Sequence, residues 1–278
     1  MILSTADILE RKDPGMSLQE ILLTAEKPDF EFMIDHLTSP FNVSADAELH
    51  VSLTQFSKTG SERDKRKLVE LLEKEIRYVG SADIAYFFRW MTNKEPGVTI
   101  DEIINDICSK LGIAVKKMGP VQPKLEKLVQ AMVEKQFQQM TPEEQRQQLQ
   151  LLGVSPDAAE EVISEIKKLG QVAIFSAIIL PILGKELAAK LITSMTLNMI
   201  TAFVGREAAA QTLKQLAVRF PWWAEVTGPF IWGITTGWLV VDLQGPAFRK
   251  TCPVILYLAL INLRNGPEDD SGLWEESE

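Results

Sequence analysis

Few residues of this sequence have the type and spacing that catalysis or metal binding requires. The 278 residues include two histidines, His36 and His50, and two cysteines, Cys108 and Cys252. Neither histidine stands at a spacing from Cys, Asp or Glu that is typical of a zinc or di-metal site. Each cysteine lies far from the other in an apolar helical pattern, which predicts two buried thiols in a reducing compartment rather than a disulfide.

Other signatures of catalysis are also missing from the sequence. It contains no GxSxG elbow, P-loop or dinucleotide fingerprint. The acidic pair Glu102 and Asp106 has helical spacing, which is more typical of a solvated helix face than of two catalytic carboxylates. The sequence therefore predicts a protein that is not an enzyme and that uses no cofactor and no metal.

Two charged residues lie in the apolar stretch 228–264 and flank its Gly245-Pro246 turn: Asp242 and Arg249. A buried charge must be paired or hydrogen-bonded, so the simplest account is an ion pair or a cap that fixes the turn. A ligand or partner contact is the functional alternative. Glycines, prolines and tryptophans punctuate the same stretch, and we expect a partner- or membrane-binding surface there, formed by Gly228, Pro229, Trp232, Gly237, Trp238, Asp242, Gly245, Pro246, Arg249 and Pro253.

The elements that would position these residues are predicted to be helices. Capping boxes begin at Ser17, Thr99 and Thr141, where a hydroxyl residue is followed three positions later by Glu. Residues 61–80 carry apolar side chains on one helical face and charges opposite. Residues 41–59 show some alternation of apolar and polar residues, so a strand or an irregular loop is expected there.

Beyond residue 170 the chain becomes much more apolar. Four uncharged runs of 12 to 16 residues cover 172–183, 191–205, 226–241 and 251–263. A membrane-spanning helix needs about 20 apolar residues, and none of these runs is long enough. We therefore interpret them as buried helices of a large core, with conditional insertion of a packed apolar hairpin into a bilayer as the alternative.

These patterns predict an all-α protein, a multi-helix bundle with an apolar C-terminal helical half. We divide the chain into short N-terminal helices and loops (1–60), an amphipathic helical domain (61–170), an apolar helical region (171–266) and an acidic disordered tail (267–278). No alternation of strands and helices occurs anywhere in the sequence.

The charge distribution limits the partners. The net charge is −9, made up of −7 in residues 1–170, +4 in 171–266 and −6 in the tail. An acidic chain argues against nucleic acid as a partner, whereas the slightly basic apolar half could meet anionic lipid. Because residues 1–11 lack a sustained apolar core, we expect a cytoplasmic protein, with peripheral attachment to the inner face of the membrane as an open alternative.

The C-terminal block resembles the signature of the bacterial YaaW family. The residues that fit it in order are Gly228, Pro229, Trp232, Ile234, Thr235, Trp238, Asp242, Gly245, Pro246, Ala247, Phe248, Arg249, Pro253, Leu263 and Arg264. A second block, residues 75–115, also resembles the family, although Gly80-Ser81 and Arg89-Trp90 depart from its usual Gly-Gly and Arg-Gly. On these residues the chain is identified as a divergent member.

The resemblance implies a helical module similar to the ubiquinol–cytochrome c reductase chaperone domain, and it implies no catalytic residues. We therefore expect a non-enzymatic, chaperone-like or scaffolding protein that binds a protein partner at or near a membrane, with an oligomer as a further possibility. The competing hypothesis is a membrane-active, pore-forming or permeabilising effector whose packed apolar helices insert when triggered.

Overall fold

The computed structural model describes residues 17–37, 43–80, 99–113, 120–169, 174–204, 206–223 and 246–265. These residues form α-helices and one π-helical turn, and no strand occurs among them. The predicted all-α class is confirmed. The helices are α1 (Leu18–Thr24), α2 (Lys27–Leu37), α3 (Val43–Thr59), α4 (Glu62–Gly80), α5 (Ile100–Leu111), α6 (Val121–Gln139), α7 (Pro142–Leu151), α8 (Pro156–Leu169), α9 (Leu180–Val204), α10 (Arg206–Arg219) and α11 (Pro246–Asn265), with the π-helical turn at Phe175–Ile179.

All three predicted capping boxes are present. At the start of α1, the Ser17 hydroxyl accepts a bond from the Glu20 N–H over 3.3 Å, and the Ser17 N–H donates to the Glu20 carboxylate over 2.7 Å. Thr99 and Thr141 make the same reciprocal pair at the starts of α5 and α7. Each box satisfies backbone donors that a helix start would otherwise leave unpaired, which is why these boundaries could be located from the sequence.

The expected strand or loop at residues 41–59 is wrong over its described part, because residues 43–59 form helix α3. Leu49, Ser52 and Leu53 are buried, and Phe56 is half-buried, which gives helical steps of three and four residues. Val51, in contrast, is 68% exposed. A buried serine beside an exposed valine weakens the apolar periodicity, and a false alternation appears in the sequence.

Helix α11 lies at the centre of the molecule. It packs against α1, α2, α4, α5, α6 and α9, and every residue from Thr251 to Asn262 is buried. An α-helix with no exposed side is expected to be apolar all round, as this one is. The uncharged run at 251–263 is therefore a core helix, in agreement with the first of the two interpretations above.

Helices from the three regions 1–60, 61–170 and 171–266 share one core. Phe30 and Met33 of α2, Leu128 and Met132 of α6 and Ile255 of α11 belong to the same buried cluster. Within the described residues, no helix combines the length and the apolarity that crossing a bilayer would require.

Candidate functional site

Most of the predicted contact residues lie outside the described part of the chain. These are Gly228, Pro229, Trp232, Gly237, Trp238, Asp242 and Gly245, so the proposed Asp242–Arg249 pairing also lies outside it. Pro246 is the first residue of α11 and Arg249 lies in its first turn. Pro253 is buried within the same helix and is therefore no surface contact in this arrangement.

A buried ionic network joins the beginning of α2 to the end of α10 and the middle of α11. Asp29 is completely buried. Its Oδ1 accepts bonds from the Tyr257 hydroxyl over 2.8 Å and from Arg219 Nε over 3.1 Å, and its Oδ2 accepts the Glu26 N–H over 2.8 Å. A second guanidinium nitrogen of Arg219 lies 3.0 Å from the Glu26 carboxylate. The charge of Asp29 is thus compensated as a buried charge must be.

The pKa of Arg219 confirms that the carboxylates dominate its surroundings. Burial opposes its charge most strongly, but Asp29 and Glu26 together outweigh burial and raise the pKa above its ordinary value. Arg219 therefore remains a cation at any physiological pH. The network is a structural connection between parts of the chain that are 190 and 228 residues apart.

An aromatic stack extends the network to His36. The Tyr257 ring lies 4.1 Å from that of Phe32, which in turn lies 4.1 Å from the imidazole of His36. His36 Nδ1 is 2.7 Å from the Phe32 carbonyl, and Nε2 is 3.2 Å from the Thr212 hydroxyl. Burial lowers the pKa of His36, although the Phe32 carbonyl and Asp35 oppose the shift. His36 is thus a neutral packing residue held by hydrogen bonds.

A second buried polar group lies where α11 ends beside α6. The Oε1 of Glu126 accepts bonds from Asn262 Nδ2 over 2.7 Å and from Gln122 Nε2 over 3.1 Å. Burial raises the pKa of Glu126, and the two amide donors only partly offset the effect. These hydrogen bonds fix the end of α11 against α6. Of the three side chains, only that of Glu126 can change its charge.

The cysteines have no nucleophilic character. Cys108 and Cys252 are both free and buried. Burial raises the pKa of Cys108 to about 11 and that of Cys252 to about 12. Since the thiolate is the reactive form, both groups are inert at neutral pH. No cluster of His, Cys, Asp or Glu that could hold a metal occurs among the described residues.

The described surface has an unusual feature where the π-helical turn enters α9. Pro181 is exposed there, and Leu180, Ile182 and Leu183 are only half-buried against the core. Helix α9 bends at Gly184, whose φ of 76° and ψ of 169° lie in a region that is essentially restricted to glycine. We call residues 180–184 the apolar elbow.

A hydrogen bond and buried side chains hold the π-helical turn that precedes the elbow. The N–H of Phe175, the first residue of the π-helical turn, donates to Glu134 Oε1 of α6 over 2.9 Å. Phe175, Ile178 and Ile179 are buried below it. Burial raises the pKa of Glu134, while the bonds from Phe175 and Gln130 oppose that rise. The half-buried side chains therefore stand on a fixed backbone, and π-helical turns of this kind are frequent at functional sites.

The sequence analysis missed both the ionic network and the elbow. Asp29 and Tyr257 are 228 residues apart in the sequence, and no local pattern joins them. The sequence contains a partial indication of the elbow, because Gly184-Lys185-Glu186 interrupts the uncharged run that begins at residue 172. The interruption marks a boundary, but it does not reveal the bend or the exposure of Pro181.

Comparisons with known proteins give distant relatives. No family model matches the sequence. A UPF0174 protein of Helicobacter pylori is 26% identical over 222 residues, which are 77% of this chain and 79% of that protein. A UPF0174 protein from another strain of the species is 25% identical over 219 residues, which are 76% of this chain and 94% of that protein. No solved structure matches.

The name UPF0174 states no activity, ligand or partner. The chain is thus similar to these Helicobacter proteins over about three quarters of its length. The resemblances to the YaaW family and to the ubiquinol–cytochrome c reductase chaperone domain stay predictions from the sequence.

Proposed function

We propose that this protein is a non-enzymatic, chaperone-like or scaffolding protein that binds a protein partner at or near a membrane. The observation that carries the proposal is the apolar elbow. Leu180, Ile182 and Leu183 are half-buried beside the exposed Pro181, and the backbone that holds them is bent and anchored. A preorganised apolar surface loses little entropy on binding, so it suits a protein contact.

The chemistry of the remaining side chains favours binding over catalysis. The two thiols are buried, the imidazole of His36 is held between Phe32 and Thr212, and the charge of Asp29 is compensated by Arg219. None of these groups is placed to act on a substrate. The surface predicted from the sequence at residues 228–249, without the buried Pro253, is a second candidate contact for the same partner.

Membrane insertion of the apolar helices is the less favoured alternative, for an energetic reason. Opening the core would expose α11, whose Val254, Ile255, Leu256, Leu258 and Ile261 are all buried. Full burial of such a side chain contributes about 2 kcal/mol. Five of them therefore contribute about 10 kcal/mol, which is comparable to the whole net stability of a typical domain. The hydrocarbon of a bilayer would return this energy only after insertion, so it acts as a barrier to opening the core in water.

Photo-crosslinking tests the proposed protein contact. A photoreactive residue is introduced at Pro181 in the full chain, which is irradiated in an extract of cells that make the protein. We expect a discrete adduct with another protein. Two substitutions, Ile182→Ser and Leu183→Ser, remove the apolar contact. Because both side chains are already half-buried, each contact is worth about 0.8 kcal/mol or more, so the adduct should decrease about tenfold.

The matched control carries serines at two exposed valines outside the elbow. Val51 and Val218 are 68% and 71% exposed, so Val51→Ser and Val218→Ser remove the same kind of group from the surface. The control should keep the adduct. Equal loss in both double variants, or dye release from liposomes that depends on the elbow, would contradict the proposal, the second in favour of the membrane-active alternative.

A further inference from the structure

Helix α4 presents a face on which four exposed cations outnumber two exposed carboxylates, in an otherwise acidic chain. Its fully exposed residues are all charged, namely Glu62, Arg63, Arg66, Lys67, Glu70 and Lys74. The opposite side of the helix, with Leu68 and Leu72, is buried in the core. Arg63, Arg66, Lys67 and Lys74 follow helical spacing, so they share one side of the helix. We call these four residues the basic face.

Three of the four cations of this face lack partners. Within the described residues, Arg66, Lys67 and Lys74 make no salt bridge and no side-chain hydrogen bond. Several exposed or half-buried cations elsewhere do pair with carboxylates of their own or a neighbouring helix, as in Arg146–Glu160 and Lys190–Glu186. The positive charge of the basic face is therefore available to an outside partner.

Arg63 does not serve the stability of α4 itself. It lies in the first turn, near the positive end of the helix dipole, where a cation is unfavourable by a few tenths of a kcal/mol to about 1 kcal/mol. Arg63, Arg66, Lys67 and Glu70 also line a shallow open depression of about 440 Å³. Such a depression suits an anionic group that approaches from solvent.

We infer that the basic face binds the anionic headgroups of a phospholipid bilayer. Guanidinium groups bind phosphate oxygens in a bidentate way, and each basic residue near an anionic membrane contributes about 1 kcal/mol. No exposed residue of α4 is aromatic, so the face lacks the stacking surface that single-stranded nucleic acid uses, and the net charge of −9 disfavours the approach of a duplex. None is apolar either, so an acidic peptide would find no anchor for its side chains.

This inference goes beyond the proposed function, because the basic face is not part of the apolar elbow. It also revises the expected site of lipid contact, since the sequence analysis assigned that contact to the slightly basic apolar half. The net charge of a long segment hides a local cluster: residues 1–170 carry a balance of −7, yet the basic face lies within them.

Vesicle flotation with the full chain tests the inference. Vesicles of pure phosphatidylcholine are compared with vesicles that also contain phosphatidylserine, at low and at physiological salt. We expect binding only to the anionic vesicles, weakening with salt because exposed charges are screened. The triple variant Arg63→Gln, Arg66→Gln and Lys67→Gln should bind about 100-fold more weakly, from about 1 kcal/mol for each removed charge.

The matched control removes the same charge elsewhere, through Lys167→Gln, Lys168→Gln and Lys190→Gln. Lys167 and Lys168 are exposed on α8, and Lys190 is half-buried on α9. The loss of their charges should reduce binding much less. Helical content by circular dichroism confirms that each variant is folded. The inference is overturned by equal loss in the two triple variants, or by equal binding to neutral and anionic vesicles. It is also overturned if the wild-type chain ignores vesicles but binds an oligonucleotide through the same face.

The proposed function can be separated from this result. The elbow variant Ile182→Ser with Leu183→Ser should float with anionic vesicles as the wild type does, whereas the triple variant of the basic face should keep its protein adduct at Pro181. Loss of flotation in the elbow variant would overturn the assignment of lipid binding to α4.

Discussion

Replacing Asp29 by asparagine should strongly destabilise the fold. In the wild type, both carboxylate oxygens of Asp29 accept hydrogen bonds, one from Tyr257 and Arg219 and the other from the Glu26 N–H. An asparagine of the same shape has one oxygen and one NH₂ group. Whichever way it is oriented, its NH₂ group must face a donor. The variant therefore loses at least one bond and leaves a buried donor unpaired.

The magnitude follows from the number and charge of these bonds. A hydrogen bond to a charged group contributes about 1.5–3 kcal/mol, and breaking a buried charge pair costs about 3–5 kcal/mol. Arg219 keeps its contact with Glu26 at 3.0 Å, which limits the loss. We expect Asp29→Asn to lower the free energy of unfolding by about 3 kcal/mol. Tyr257→Phe removes only one bond and should lower it by about 2 kcal/mol.

The assay is urea unfolding at neutral pH, followed by far-UV circular dichroism. Because the Tyr257 bond is already impaired in the Asp29 variant, the double variant should be less destabilised than the sum of the two, with a coupling of about 1 kcal/mol or more. The matched control is Asp35→Asn on the same helix. Asp35 is exposed and accepts bonds from two glutamines, so its loss should cost less than about 1 kcal/mol.

Two results would refute the reasoning about the network. One is an Asp29→Asn variant within about 0.5 kcal/mol of the wild type, the usual range for surface changes. The other is strict additivity with Tyr257→Phe, because additivity would mean that the two side chains are energetically independent. A changed dependence on urea would instead indicate that the unfolded state has been altered.

Three further predictions concern other parts of the molecule. Gly184→Ala should destabilise by about 1–3 kcal/mol in urea unfolding, and more than Gly112→Ala. Neither new Cβ meets an atom within 4 Å, but Gly112 has an ordinary left-handed backbone with φ 69° and ψ 25°, whereas Gly184 lies in the glycine-only region. Burial raises the pKa of Glu126, so the folded state binds the proton of this carboxyl more tightly than the unfolded state does. The free energy of unfolding therefore falls as pH rises above about 4.5. The stability of Glu126→Gln relative to the wild type should increase towards pH 7, and a difference that shrinks with pH would contradict this. Cys108 and Cys252 should react with a thiol reagent at pH 8 only after unfolding, since burial raises both pKa values, and fast labelling of the folded chain would show that one of them is accessible.

Local chemistry made the helix boundaries predictable. Ser17, Thr99 and Thr141 cap helices through groups three residues away. Both partners of each capping box therefore lie within four consecutive residues of the sequence. Helix α3 was missed because its inward face includes Ser52 and its outward face includes Val51. There, packing against the other helices overrides the pattern that an isolated amphipathic helix would have.

The ionic network and the basic face were less predictable from the sequence, for two physical reasons. The Asp29–Arg219 pair spans 190 residues, and such a contact depends on how the helices pack. The basic face was concealed in a segment with a net charge of −7, because a total says nothing about which side of a helix each charge occupies. The apolar run at 251–263, in contrast, was too short for a membrane span, which favoured its interpretation as a core helix.

The central position of α11 has a consequence for how the protein is made. Ribosomes deliver the chain from its N-terminus, so α1, α2, α4, α5, α6 and α9 are all synthesised before the helix against which they pack. Until residues 246–265 emerge, Phe32 and its neighbours have no Tyr257 to cover them, and their apolar faces remain open to aggregation. The nascent chain therefore exposes these faces until translation has passed α11. A fragment that ends before residue 246 would lack the helix against which six others pack.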